Sequence, residues 1–188
     1  MDKKLLPKIH FHFIGVGGIG MSALAIGLLK KGCSVSGSDL IKNDETYKLE
    51  DLGAIIFTSQ IKENIDFITS KFNNKLINFV VSSAIKPENE EFSYCKEKNL
   101  SIKHRSEILA MLMRTYTALA VAGSHGKTST STFLSTILEL CTRNSSSITG
   151  GIIPIYNSNC HLENTKYLVA EVDESDGTIN KYLSLIHI

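Results

Sequence analysis

The segment from Gly123 to Thr130 constrains the fold of this chain more than any other. It reads G-S-H-G-K-T-S-T, after the apolar run 118–122 and before the helix-compatible stretch 133–140. A strand that feeds a glycine turn and then a helix offers backbone amides and a positive helix N-terminus to a phosphate. Lys127 adds a mobile positive charge and Thr128 adds a hydroxyl for Mg²⁺. We therefore predict a nucleoside triphosphate site within an α/β fold.

This lysine loop is shorter than a common P-loop. Only Ser124 and His125 separate Gly123 from Gly126, where common P-loops have four residues between the first glycine and the Gly-Lys pair. His125 either donates a hydrogen bond to a phosphate or shapes the turn. The residues predicted to contact the triphosphate are Gly123, Ser124, His125, Gly126, Lys127, Thr128 and Ser129.

A second glycine loop, G-V-G-G-I-G, occupies residues 15–20 between a predicted strand at 9–14 and a predicted helix at 21–31. Such a loop turns tightly and lets the backbone approach a diphosphate at the helix N-terminus. Asp39 follows a predicted strand at 34–37, at the position where an acidic residue often meets a ribose hydroxyl. The pattern fits NAD as well as other nucleotide diphosphates, and a glycine turn made only for packing is the structural alternative.

Two further groups lie at predicted strand ends. Ser82 and Ser83 end a strand at 78–83, where they either contact the first nucleotide or cap the strand. Glu171 opens E-V-D-E-S-D-G after the start of a strand at 167–172 and is the first choice as a Mg²⁺ ligand. Three other carboxylates of this motif are either further ligands or a solvated acidic loop: Asp173, Glu174 and Asp176.

The alternation of predicted strands and helices indicates two successive α/β units with a break near residues 114–117. We expect a domain at 1–114 and part of a second domain at 115–182. Between the glycine loops we expect strands at 54–57 and 101–103, and helices at 45–52, 87–98 and 106–113. Residues 142–147 are expected to form a polar turn, followed by a strand at 148–151.

Composition narrows the functional classes. The net charge is +1, with 20 basic and 19 acidic residues spread along the chain, which argues against nucleic acid or an anionic membrane as a partner. Four scattered cysteines without a C-x-x-C pair, and no signal peptide or spanning run, favour a cytoplasmic location. His10 and His12 share one face of a predicted strand, but no further zinc ligands accompany them at metal-binding spacing.

Taken in order, these motifs resemble the Mur ligases. The resemblance is carried by H-F-I-G-V-G-G-I-G-M-S at 12–22, V-S-G-S-D at 35–39, S-S-A-I at 82–85, A-G-S-H-G-K-T-S-T at 122–130 and A-E-V-D-E-S-D-G at 170–177. The chain departs from the family in having Ser124 and Ser129 where many members carry threonine. It also has P-E-N-E from Pro87 where Asn-Pro-Glu is commoner. These departures remove no functional group that the chemistry needs.

The resemblance implies a Rossmann-like, parallel-sheet domain for a UDP-sugar, followed by the start of a P-loop-type α/β central domain for ATP. It implies ATP-dependent coupling of L-alanine to the carboxylate of UDP-N-acetylmuramate through an acyl phosphate. Lys127 and Glu171 would be catalytic, and Thr128 and Glu171 would hold Mg²⁺. The UDP-sugar would be bound by the first glycine loop and its neighbours: Gly15, Gly17, Gly18, Gly20, Ser38, Asp39, Ser82 and Ser83.

Family members are longer than this chain, so we expect no ligase activity from these 188 residues alone. We also expect the native sequence to end near Tyr182, with 183–188 a non-native tail. Three other functions stay open. One is a related ligase that attaches a preformed peptide to the same UDP-sugar. The others are an NAD-dependent oxidoreductase, which leaves the loop at Gly123 unexplained, and a nucleotide-gated regulatory module, which fits the short loop poorly.

Overall fold

The computed structural model describes residues 6–141, 144–172 and 186–187. The chain divides into two compact units, 1–105 and 106–188. The division lies before the boundary predicted after residue 114, because the helix Arg105–Met113 belongs almost entirely to the second unit.

The first unit is a five-stranded parallel sheet with connecting helices. Its strands are β1 (Ile9–Ile14), β2 (Ser34–Ser38), β3 (Ile55–Phe57), β4 (Leu76–Val81) and β5 (Ile102–His104). Its helices are α1 (Ile19–Lys30), α2 (Asp44–Asp51), α3 (Lys62–Lys71) and α4 (Glu90–Glu97). The strand order is β3-β2-β1-β4-β5. The chain adds strands on one side of β1 up to β3 and then on its other side from β4, and this switch point forms a ligand crevice at the carboxyl end of β1. The predicted Rossmann-like fold is confirmed.

All six residues of β1 are buried, as expected for the central strand of a parallel sheet. Phe11 and Phe13 project to one face, and His10 and His12 to the other. On the histidine side, Ile65, Ile68, Phe79 and Cys95 form a compact apolar cluster. Ile65 and Ile68 of that cluster come from α3, a helix that was not predicted because its two buried apolar residues are β-branched and sit among polar residues.

The second unit contains another five-stranded sheet. Its helices are α5 (Arg105–Met113) and α6 (Lys127–Leu140), and its strands are β6 (Thr117–Val121), β7 (Ser145–Ile153), β8 (Ser158–His161), β9 (Tyr167–Glu171) and β10 (Ile186–His187). The order is β10-β6-β9-β7-β8, with β8 antiparallel to β7 and the other pairs parallel. β6, α6 and β9 form the strand–loop–helix–strand framework predicted around the lysine loop.

Two local predictions in this unit are wrong. Residues 145–147 form the start of β7, where a polar turn was expected, because three serines pair with β9 and are buried there. The edge strand β8 was not predicted because Ser158 and Asn159 read as loop residues. Among the described residues, none of the helices has the length and apolarity that a bilayer crossing requires.

Candidate functional site

The lysine loop joins the carboxyl end of β6 to the first turn of α6. Gly123 and Gly126 have φ values of +148° and +75°, in the region that favours glycine, so the sharp turn depends on both. Gly126 is the N-cap of α6. The Thr130 amide is the first to donate within the helix, to the Gly126 carbonyl at 2.9 Å, so the amides of residues 127–129 have no acceptor in α6 and can bind a ligand. The loop therefore has the backbone shape of a phosphate cradle.

The two side chains central to the prediction point into this loop. The Lys127 ammonium donates to the Gly123 carbonyl at 2.6 Å, so it folds over the loop. The Thr128 hydroxyl donates to the Glu171 carboxylate, with the shorter distance at 3.0 Å. Glu171 is the last residue of β9 and lies opposite Val121 of β6, which brings it to the carboxyl end of the sheet. Residues 124–129 and Glu171 line one cavity of about 320 Å³.

Two glycines that the sequence reading passed over complete this site. The Gly150 amide donates to Glu171 Oε2 at 2.9 Å and holds the carboxylate in place. A Cβ at Gly150 would lie 3.1 Å from Glu171 Oε1, and one at Gly151 would lie 2.8 Å from the Thr128 methyl carbon. These two glycines could have been found from the sequence, because a Gly-Gly pair inside a strand indicates that another group lies close to the backbone there.

The chemistry of this pair suits Mg²⁺, which prefers hard oxygen ligands and keeps part of its water shell. Thr128 supplies a hydroxyl and Glu171 a carboxylate, already adjacent in the structure. Asp173, Glu174 and Asp176 lie outside the described residues. Within the described residues there is no cluster of three His, Cys, Asp or Glu side chains that could hold a metal by themselves.

A separate cavity of about 230 Å³ lies at the N-terminus of α1 in the first unit. The structure brings Gly18 and Gly20 together there with Ser82 and Ser83. Arg105 lines the same cavity and was missed; its guanidinium nitrogen would lie 3.3 Å from a Cβ at Gly20. A cation directly after β5, at the same sheet edge, was the available signal. A helix N-terminus with a guanidinium is suited to a diphosphate.

The remaining predicted residues of this site form hydrogen bonds that hold the first glycine loop in shape. Ser38 is buried, donates through its hydroxyl to Glu91, and accepts the Gly15 and Val16 amides at its carbonyl. Gly15 has φ +79°, which favours glycine. Gly17 and Asp39 bond to each other, the amide donating to the carboxylate at 2.8 Å. These four residues therefore shape the glycine loop, while Gly18 and Gly20 line its cavity.

The two histidines of β1 are tied into a buried hydrogen-bonded chain. Both rings bond to the Ser36 hydroxyl, His10 at 2.8 Å and His12 at 2.7 Å, and His10 also bonds to the Ser34 hydroxyl at 2.9 Å. His12 Nε2 faces the Glu91 carboxylate at 3.6 Å. Burial, with the nearby His12 and Lys75 charges, lowers the pKa of His10 to about 3. This arrangement holds the His10 imidazole neutral within a hydrogen-bond network.

Comparison with known proteins decides the family. The sequence profile of the Mur ligase family, catalytic domain, matches residues 10–117. The chain belongs to the Mur ligase family. It is 72% identical over all 188 residues to the UDP-N-acetylmuramate–L-alanine ligase of Prochlorococcus marinus subsp. pastoris, covering 40% of that protein. It is 43% identical to the enzyme of the same name from a Synechococcus strain, covering 39% of it. The chain thus spans about two-fifths of the length of these curated relatives.

Solved structures of Mur ligases share the fold. The MurC of Thermotoga maritima, a UDP-N-acetylmuramate–alanine ligase, superposes with a TM-score of 0.79 at 26% identity, over 92% of this chain and 39% of that one. A Neisseria ligase named for UDP-N-acetylmuramate and L-alanyl-γ-D-glutamyl-meso-diaminopimelate superposes with a TM-score of 0.80 at 25% identity, over 89% of this chain and 53% of that one. The fold is therefore common to a ligase named for alanine and a ligase named for a tripeptide.

Proposed function

We propose that the whole protein is an ATP-dependent carbon–nitrogen ligase that joins L-alanine to the carboxylate of UDP-N-acetylmuramate in peptidoglycan precursor synthesis. Identity of 72% to a ligase of that name supports the choice of substrates. The observation that carries the proposal is the 3.0 Å contact between Thr128 and Glu171 beside Lys127. It places a hydroxyl, a carboxylate and an ammonium around one glycine loop, which is the equipment that phosphoryl transfer needs.

In the first proposed step, an oxygen of the muramate carboxylate bonds to the γ-phosphorus of ATP as the bond to the ADP oxygen breaks. ATP and Mg²⁺ are the reactant and the metal that this step needs. Thr128 and Glu171 would hold the Mg²⁺, which would neutralise phosphate charge. Lys127 exchanges the Gly123 carbonyl for the transferring phosphoryl oxygens, and the amides at the start of α6 orient the phosphates. The chain thereby contributes position and charge, with no covalent intermediate on the protein.

In the second step, the amine of L-alanine attacks the acyl carbon, a C–N bond forms, phosphate leaves with its bonding electrons, and the nitrogen loses a proton. We assign no described residue to this amine. The first cavity would hold the UDP-sugar diphosphate between the α1 amides and Arg105, with Ser82 and Ser83 beside it. A cytoplasmic location agrees with the use of ATP and a nucleotide sugar.

A second candidate is a recycling ligase that attaches a preformed peptide to the same UDP-sugar. The TM-score of 0.80 with the Neisseria ligase favours keeping it. Both candidates share the two glycine loops, so the acceptor separates them. Family membership favours either ligase over the NAD-dependent oxidoreductase and the regulatory module, since both of those leave one of the loops without a role.

The test has two parts. Calorimetry on the 188-residue chain should detect UDP-N-acetylmuramate and Mg·ATP as separate ligands, with NADH failing to compete for the first. The whole protein should release phosphate in the presence of UDP-N-acetylmuramate, ATP and L-alanine, and the 188-residue chain should not. Faster phosphate release with L-alanyl-γ-D-glutamyl-meso-diaminopimelate than with L-alanine would replace the first candidate by the second.

A further inference from the structure

The middle of the first glycine loop is gripped by the connection between β2 and α2. The Gly17 amide donates to Asp39 Oδ2 at 2.8 Å, and the Gly17 carbonyl accepts from the Asn43 amide group at 3.0 Å. Both polar groups of this one residue are therefore bonded to side chains. Neither is left for a ligand in this geometry.

Asp39 is itself held on both of its oxygens. Besides the Gly17 amide on Oδ2, its Oδ1 accepts the amide of Ile41 at 3.2 Å. Two backbone donors on one carboxylate fix its rotamer and orientation. An acidic residue that follows the second strand usually suggests a ribose ligand, but here the carboxylate is bonded to the protein's own backbone.

Asn43 is anchored as firmly from the other side. It is the N-cap of α2, and its side-chain oxygen accepts the Thr46 amide at 3.1 Å while the Thr46 hydroxyl accepts the Asn43 amide at 2.9 Å. Its side-chain nitrogen is therefore free of the cap and donates to the Gly17 carbonyl. A capping box thus fixes the donor that holds the loop carbonyl.

The fit leaves room only for glycine. A Cβ on Gly17 would lie 2.8 Å from Asp39 Oδ2 and 3.0 Å from Asn43 Nδ2. The neighbouring Gly15 and Val16 amides are also taken, both by the Ser38 carbonyl. Residues 15–17 are therefore fixed by the protein, whereas residues 18–21 line the cavity.

We propose that Asp39 and Asn43 are positioning residues that clamp Gly17 and so present the amides at the start of α1 to the diphosphate, and that Asp39 does not bind the ribose. The proposal rests on the proposed function, because it takes the first cavity to be the diphosphate site. The clamp supplies a preformed loop, so that binding does not have to order it.

The test measures UDP and 2′,3′-dideoxy-UDP binding to the 188-residue chain by calorimetry. In Asp39→Asn the negative charge is lost and one acceptor oxygen becomes an NH₂ group, so the bond from the Gly17 amide is weakened or lost in either orientation of the side chain. In Asn43→Ser the α2 cap is kept but the donor to Gly17 is lost. Each should weaken UDP about tenfold, the order of one charge-assisted or buried hydrogen bond. Because the clamp acts on the diphosphate, each should weaken dideoxy-UDP by the same factor.

Asn89→Ser is the matched control. Asn89 caps α4 by accepting the Phe92 amide at 3.0 Å, and its amide group donates to Gln60 at 2.8 Å, outside the glycine loop, so UDP affinity should be unchanged. Amide exchange gives a second readout that does not depend on a ligand. The Gly17 amide should exchange faster in Asp39→Asn while amides within β1 stay protected, which also shows that the variant is folded.

Three results would overturn the clamp. One is a loss in Asp39→Asn that disappears with dideoxy-UDP, which would make Asp39 a ribose ligand. Another is wild-type UDP affinity in Asn43→Ser. The third is unchanged exchange of the Gly17 amide in Asp39→Asn. Failure of the wild-type chain to bind UDP would instead reject the proposed function for the first unit, and the clamp's role with it.

Discussion

The two glycine loops follow the same plan of strand, turn and helix, but they are held in different ways. The first loop is fixed by groups outside its ligand cavity: the Ser38 carbonyl, Asp39 and Asn43. The second loop is held by the groups that its ligand would use, since Lys127 bonds to Gly123 and Thr128 to Glu171. The first should therefore bind without rearrangement. The second should exchange internal bonds for bonds to phosphate and metal.

The largest effect is expected at the second loop. Lys127→Met should reduce ligation by the whole protein at least about a thousandfold, because the ammonium is the mobile charge available to the transferring phosphoryl. UDP-sugar affinity should stay at the wild-type value. Single-turnover phosphate release measures the loss, and Lys98→Met, at an exposed position following α4, is the control. Activity within tenfold of wild type would remove Lys127 from the proposed chemistry.

The next effect concerns the buried support beneath the first loop. Glu91 is fully buried, accepts from Asn64 at 2.7 Å and from Ser38, and lies 3.6 Å from His12. Glu91→Ala removes the acceptor for the Ser38 hydroxyl and for one Asn64 N–H and leaves a buried cavity, so it should lower the free energy of unfolding of the first unit by about 3 kcal/mol. Urea unfolding followed by amide exchange in β1 measures it.

Glu90→Ala is the matched control for that variant, because Glu90 is the neighbouring residue on α4 and its carboxylate accepts the Lys62 amide at the exposed surface. It should change stability by less than about 0.5 kcal/mol. Equal losses in the two variants would mean that the first loop has no special buried anchor, and the contrast between the loops would weaken.

The sequence predicted the parts of both loops that depend on local chemistry. The spacing of the glycines, Lys127 and Thr128 was enough to predict a glycine loop between a strand and a helix, because the three elements are contiguous in the chain. Glu171 was found because strand ends of a parallel sheet converge at one edge. The fold followed from the alternation of strands and helices.

What the sequence did not predict depends on long-range packing. Arg105 reaches its cavity, and Gly150 reaches Glu171, only when distant strands pair. Glu91 reads as one more charge on a polar helix, and nothing local indicates that it is buried under Ser38. Ser145 to Ser147 read as a turn because isolated serines favour turns, but sheet pairing outweighs that preference.

A smaller effect should come from the strand beside the second loop. Gly151→Ala places a Cβ 2.8 Å from the Thr128 methyl carbon and should displace the hydroxyl from Glu171. We expect Mg·ATP affinity to fall about tenfold to a hundredfold, as for other small displacements of a positioned group. The double variant Gly151→Ala with Thr128→Ser removes that methyl, keeps the hydroxyl and should restore most of the affinity. No rescue would place the fault in the backbone of β7.

The smallest expected effect is a pH dependence confined to the support of the first loop. His10 is buried, stacks on Phe72 with ring centroids 3.7 Å apart, and bonds to two serine hydroxyls. Its pKa is lowered to about 3 by burial first, then by His12 and Lys75. In the unfolded chain the His10 imidazole has its ordinary pKa of about 6.5. Protonation therefore favours the unfolded state, so this contribution to stability is complete above pH 6.5 and is lost as the pH falls toward 3. The slope should be about 1 kcal/mol per pH unit.

Other groups also titrate in that pH range, so the contribution of His10 is measured as the difference between the wild-type chain and a variant without that ring. Urea unfolding of the first unit at pH 7, 6 and 5 should show a steeper loss of stability in the wild-type chain than in His10→Gln, which keeps polar atoms near Ser34 and Ser36 but carries no titrating ring. Phe79→Leu, a core change with no titrating group, should lower stability by the same amount at each pH. Parallel curves for the wild type and His10→Gln would mean that the buried chain under the first loop already accepts a proton at pH 5. The first unit would then lack the rigid, neutral support that distinguishes its loop from the second.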